Sequence, residues 1–398
     1  MPEAERAFLR ACELCEELGD QVRLAHALRG LFGFYYVAGR WPDAARVAER
    51  LGTLAEMLDD RTVLCLRWYV EGATRMFCGE PAEAVRRLRE ALHRYDESDR
   101  DTHIRLTGHE MASLIRFHLS IAEWLAGMPE QALHTSVEAL GIARRAARPV
   151  PLAQTLANIA LLRVLARDWD AAEALAAETR EVSARYGIPD YISFGDLLAG
   201  TAIAARGDAT RGAALARDGL AGLRRGGWQS FVPMLLARLA LTFCASGDKD
   251  AAIEAAAEAL RMTRANGELI WEAEALRVVG EVKRAAGAAE AEADADLRTA
   301  IDTARRQGAK VFELRATISL ARLWAREGER HRARVLLTPA YGWFTEGFDT
   351  PDLREAKALL QELASTPLGP RTRPRRRPAV PVNNPGFRNG PSGVKPPE

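Results

Sequence analysis

Glycine returns along this chain on a fixed beat, at Gly39, Gly79, Gly127, Gly207, Gly247, Gly287 and Gly328, and Arg167 fills the gap 40 residues from both Gly127 and Gly207. The steps are 40, 48, 40, 40, 40, 40 and 41 residues. Five positions after each comes a small residue, Ala44, Ala84, Ala132, Ala172, Gly212, Ala252 or Ala333, with Glu292 as the exception. A second series, Gly187, Gly227, Gly267 and Gly308, keeps the same interval. Within one interval Phe231, Met234, Leu235, Leu239 and Phe243 form a helical face. The helix stops at Gly247, and Asp248 to Ala252 reopens another, with acids in its first turn and Ile253, Ala256, Ala257 and Leu260 as its stripe. Neither helix can bury its stripe alone, so the unit is an antiparallel hairpin that needs neighbours on both sides. The small fifth residue lets the second helix lie close to the first. This pattern predicts an all-α, right-handed α-solenoid of eight hairpins.

Residues 1–365 form the solenoid in this reading. Glu3 to Leu18 is a lone helix ahead of the first hairpin, and either caps this end or marks the severed end of something longer. The 48-residue step inserts extra chain between Asp96 and Leu114. Insertions in repeat arrays map to loops on one face, often the binding face. Arg105, His109 and Glu110 on this insertion are therefore the candidate partner-binding residues, charged and without an evident packing duty. His109-Glu110 evokes the zinc-protease HExxH, but Ser113 stands where the second histidine would be. Thr350-Pro351-Asp352 opens a closing helix with a cap, a first-turn proline and an acid. Residues 366–398 are rich in Pro, Gly and Arg, cannot bury enough apolar surface to offset their ordering entropy, and are expected to be disordered.

Composition excludes several function classes. The tail holds seven basic residues and one acid, which leaves 48 basic against 53 acidic in the body, a net −5. A mildly acidic body is a poor nucleic-acid surface, so only weak contact through the basic tail is expected. No apolar run approaches the roughly 18 residues of a membrane span, and the acidic N-terminus is unlike a signal peptide. Five cysteines without spacing symmetry fit a reducing compartment, and the chain reads as cytoplasmic. Cys12 and Cys15 form a CxxC without a second ligand pair, so no metal is expected. There is no GxxxxGK[ST], GxGxxG or GxSxG, hence no expected catalytic residue and no cofactor.

Glu313 to Leu363, and above all the run Tyr341-Gly342-Trp343-Phe344-Thr345-Glu346-Gly347-Phe348-Asp349-Thr350, resembles the C-terminal end of a bacterial family of signalling proteins. In that family a class III adenylate/guanylate cyclase or other output domain precedes an AAA-type predicted ATPase and a tetratricopeptide-like array. Weaker collinear matches are Arg10 to Cys15, Gly127 to Ala132 as GMPEQA, and Ala304 to Gln307. The family's G-[HQ]-D-P-like motif reads Gly108-His109-Glu110-Met111 here, with Asp and Pro both replaced. The resemblance covers about residues 3 to 365 and implies tetratricopeptide-like hairpins. The family's cyclase and ATPase motifs lie upstream of the matched region, so none is carried over. The expected function is a non-catalytic interaction or regulatory module that takes a protein, peptide or effector, including cyclase/ATPase domains, in its concave groove. The alternative is a severed C-terminal fragment of such a cyclase/ATPase without activity of its own.

Overall fold

The computed structural model describes residues 2–365, and the tail expected to be disordered lies outside the described residues. The described chain holds nineteen α-helices and two 3-10 turns. A lone α1 (Pro2–Glu17) precedes the hairpins α2 (Gln21–Val37) with α3 (Trp41–Leu58) and α4 (Arg61–Phe77) with α5 (Pro81–Arg94). The insertion forms a 3-10 turn, Glu97–Asp99, and a short α6 (Arg100–Thr107). Six hairpins follow: α7 (Met111–Leu125) with α8 (Pro129–Ala146), α9 (Pro149–Leu165) with α10 (Trp169–Tyr186), and α11 (Pro189–Ala205) with α12 (Ala209–Gly226). The last three are α13 (Val232–Ser246) with α14 (Lys249–Asn266), α15 (Glu272–Ala286) with α16 (Glu290–Gln307), and α17 (Lys310–Arg326) with α18 (Arg330–Gly342). Then α19 (Pro351–Ser365) closes the described chain.

The repeated glycine has a backbone reason. In all eight hairpins the turn residue takes a left-handed conformation, which side chains with a Cβ adopt at a cost of about 1–2 kcal/mol. Arg167 bears that cost with φ at 60°. Its side chain compensates, donating from Nη1 to Asp352 at 3.2 Å and to Glu355 at 2.5 Å, and so ties the α9–α10 turn to α19.

The small-residue series marks helix contacts. Ala44, Ala84, Ala132, Ala172, Ala252 and Ala333 are all fully buried. At Gly212 the fit is closest: a Cβ there would stand 2.5 Å from the Ala204 nitrogen, and one at Gly200 would stand 2.5 Å from that of Ala216. Glu292, the sequence exception, is exposed, and Ala293 is the buried residue instead. The turn after Gly287 is one residue longer, with Ala289 rather than the next residue as the cap, which also accounts for the 41-residue step. Gly→Ala inside an open helix stabilises by about 0.5–1 kcal/mol. At Gly200 the overpacked backbone is expected to reverse that sign, with a loss of about 1–3 kcal/mol. Denaturant melts of Gly200→Ala beside Gly141→Ala, whose added methyl meets only the flexible end of Arg145, check this; equal stabilisation of both variants would refute it.

A concave groove was expected along the stack. Instead α7, α9, α11, α13 and α17 are buried nearly all round. The reason is aromatic: Trp41 stacks on Phe77 at 3.8 Å, and Tyr36, Phe77 and Phe117 meet Phe231 edge-on or tilted. Phe231 passes the contact to Trp271, and Trp271 to Phe312, which reaches Trp124. Rings from the early hairpins thus fill the superhelix axis against rings from the late ones.

The turns close as well. Gln229 donates its backbone N–H to Val37 O at 2.8 Å, and a Cβ on Gly79 would touch Gln307. The Tyr341–Thr350 run docks on the start of α8: Glu346 accepts from the backbone N–H groups of Glu130 and Gln131 at 3.0 and 3.2 Å, and Glu130 accepts from Gly347 N at 2.8 Å. The Trp343 ring lies where a Cβ of Gly127 would be, at 2.4 Å. Two stretches that carry the family resemblance, residues 127–132 and 341–350, therefore meet in space.

Candidate functional site

Charged residues intrude on the inner helices of the later hairpins. Seven residues after each preceding inter-hairpin glycine the sequence places Phe194, Met234, Glu274 and Arg315, so two charges occupy a position that is apolar in the two hairpins before. Glu274 is 1% exposed and sits among three arginines. It accepts from Arg238 Nη2 at 2.8 Å and from Arg277 Nε and Nη2, both at 2.8 Å, and Arg315 Nη1 lies 3.7 Å away. Arg315 donates from Nε and Nη2 to Asp352 of α19 at 3.0 and 2.7 Å and also reaches Leu165 O.

Three guanidiniums therefore share two buried carboxylates, Glu274 and Asp352. Despite their burial, these acids are held below the usual carboxylate range by the arginines. Arg238 moves the other way, down to about 9, chiefly through burial and then the neighbouring Arg315 and Arg277, against the opposing pull of Glu274 and Asp352. It remains a cation at neutral pH. Its Nε and the Nη1 of Arg315 are buried without a hydrogen-bond partner.

These arginines line a cavity of about 290 Å³ between α11, α13, α15, α17 and α19. Five arginines, Arg167, Arg238, Arg277, Arg315 and Arg322, face it against three acids, Glu281, Asp352 and Glu355. Apolar wall comes from Leu241, Ile318 and Trp169. Arg167, Trp169 and Ala205 also border a second cavity of about 720 Å³, which runs on to Glu130, Thr350 and Arg354. Together they make one groove, with a basic end and a larger, mixed end. Ser319, whose hydroxyl bonds the Glu281 carboxylate, also borders the basic cavity.

The insertion residues take three different roles. Arg105 is exposed and donates to Thr102 Oγ1 at 3.0 Å. His109 is partly buried, with Nδ1 3.1 Å from Gln154 Oε1. Glu110 was expected to be free of packing duty but is 1% exposed. It caps α7 by accepting from Ser113 N at 2.7 Å and also accepts from the Tyr95 hydroxyl at 3.3 Å. An acid placed before a helix start satisfies the orphan N–H groups there, a signal readable in the sequence once Met111 is taken as the first helical residue. None of the three borders the arginine cavity. The arginine cluster was missed because single charges within an alanine-rich helix resemble solvated ones; only superposing the repeats exposes them.

Among the described residues no group of three or more His, Cys, Asp or Glu could hold a metal ion, and no helix is long and apolar enough to cross a membrane. All five cysteines are free thiols.

No protein-family model matches the chain, and no curated protein matches it in sequence. Solved structures do. A Rap protein complexed with Competence and Sporulation Factor superposes with a TM-score of 0.62 at 13% identity, covering 91% of this chain and 96% of that one. Aspartyl phosphate phosphatase F from Bacillus subtilis aligns over 74% of both chains at 11% identity, with a TM-score of 0.48. A signal-transduction ATPase with numerous domains and a tetratricopeptide repeat sensor, from Pyrococcus horikoshii, aligns at 12% identity over 81% of this chain and 49% of that one, with a TM-score of 0.42. The fold is thus that of tetratricopeptide-like helical-repeat solenoids.

Proposed function

We propose that this chain is a non-catalytic interaction module that takes a carboxylate-bearing peptide segment into the inner groove, its anionic group against Arg238, Arg277 and Arg315. The observation that carries this reading is the surplus of buried guanidinium over buried carboxylate in a cavity wall. A buried charge without full compensation is unfavourable, and an incoming anion relieves it. The arginine fork pairs with carboxylate bidentately, which gives orientation as well as affinity. The longer cavity beyond Trp169 leaves room for the rest of an extended segment. The Rap structure, complexed with Competence and Sporulation Factor, supports a ligand-receiving role for this architecture. The resemblance of Glu313 to Leu363 supports placing the module in a cyclase/ATPase-type signalling system, with the exposed Arg105 edge as an accessory contact.

A random peptide display library selected on the purified chain tests this. Selected peptides are expected to be enriched in Asp, Glu or a free C-terminal carboxylate and to bind Arg238→Met at least about tenfold more weakly, as for loss of a charged hydrogen-bond partner. Because Glu274 keeps Arg277 and Arg315, the variant should fold normally. Peptides without acidic enrichment, or equal binding by the variant, would overturn the proposal.

A further inference from the structure

A third cavity shares no lining residue with the arginine groove. It measures about 100 Å³ and is bordered by Arg29 and Tyr36 of α2, Tyr69 of α4, His118 of α7, Tyr191 of α11 and Trp228. Arg29 is only 4% exposed. Among the described residues it has neither an ion-pair partner nor a hydrogen bond, and its Nε is buried without any acceptor. Its neighbours are rings, with the guanidinium carbon 5.3 Å from the Tyr69 centroid and 5.8 Å from that of Phe32. Tyr36, Tyr69 and Tyr191 line the same space, and their hydroxyls bond no described residue. Gly33 keeps room for the cation, since a Cβ there would stand 3.0 Å from Arg29 Nη1.

We infer that this cavity is a binding site for a small monocarboxylate. A lone buried cation is among the costliest features a core can carry, and proteins supply it with an anion. No carboxylate among the described residues does so here. The guanidinium fork matches a planar carboxylate, and the tyrosine hydroxyls can donate to its oxygens. Burial holds His118 down at about 4 and also lowers His109, so both are neutral at pH 7 and the site offers one positive charge. One charge selects a monoanion. The volume holds about three water molecules, which suits an acid of two or three carbons whose short tail meets Phe32, Leu114 and Trp228.

The test is the melting temperature of the full chain at pH 7 in sodium formate, acetate or propionate against sodium chloride at equal ionic strength. A ligand that binds only the folded state raises the transition in proportion to the logarithm of its concentration above Kd. Acetate or propionate is expected to raise it in the wild type, not in Arg29→Met, and only at about tenfold higher concentration in Tyr69→Phe. Without ligand, Arg29→Met should melt at or above the wild type, because an uncompensated buried charge has been replaced by an apolar group of similar length. Were that variant to fail to fold, Arg29 would be structural, and Tyr69→Phe alone would still decide on ligand binding. No response of the wild type to any of the three acids, or equal responses in wild type and variants, would overturn the inference.

Discussion

Removing Glu274 is expected to destabilise the later hairpins by about 3–5 kcal/mol, the cost of stranding buried charge after one partner of an ion pair is lost. In Glu274→Ala the guanidiniums of Arg238 and Arg277 lose the carboxylate that each contacts at 2.8 Å, and Arg315 keeps only Asp352. Denaturant titration should show the loss, and Glu274→Leu combined with Arg238→Met should recover part of it, since an apolar pair replaces an ionic one. The pH dependence has a definite sign. Glu274 and Asp352 ionise more readily folded than unfolded, so their stabilisation is complete above the ordinary carboxylate range and is lost as pH falls below about 4. A Glu274→Ala protein as stable as wild type at pH 7 would mean that the cluster is solvated and not buried.

Glu268 should act in the opposite direction. It is fully buried and accepts from Phe231 N at 2.8 Å and Trp271 Nε1 at 2.6 Å, with no basic side chain paired to it. Burial raises its carboxyl to about 8 against the hydrogen bonds that oppose this. A carboxyl that holds its proton longer in the folded state contributes fully below the unfolded value near 4.5 and loses that contribution as pH rises toward 8. At about 1.4 kcal/mol per pKa unit the loss amounts to several kcal/mol. Glu268→Gln keeps an acceptor for both N–H groups and cannot ionise. It is expected to be the more stable protein at pH 8, with the difference vanishing near pH 4, in melting curves taken across that range. A difference that did not change with pH would refute the assignment. Phe231 shares in this device: it holds a left-handed backbone, φ 65°, and its N–H is the donor that Glu268 fixes.

The chain's own order of residues determined the hairpins. Turn glycines, caps and small contact residues act within one 40-residue unit and its neighbour, where local sterics and helix period suffice to specify geometry. Arg167 could even be placed as a turn residue by spacing alone, and its positive φ agrees. What the tertiary structure decided is how far the stack coils. Tyr36 meeting Phe231, Glu346 capping α8 and Arg167 reaching Asp352 join residues some 185 to 216 positions apart, and no local pattern encodes such pairings. That closure converted an expected concave groove into a filled axis. It left cavities where charge stands at an otherwise apolar repeat position or, at Arg29, with no partner among the described residues. It also turned Glu110 from a free surface acid into a buried cap, because burial depends on which turn of the superhelix lies opposite, and that is a property of the whole stack.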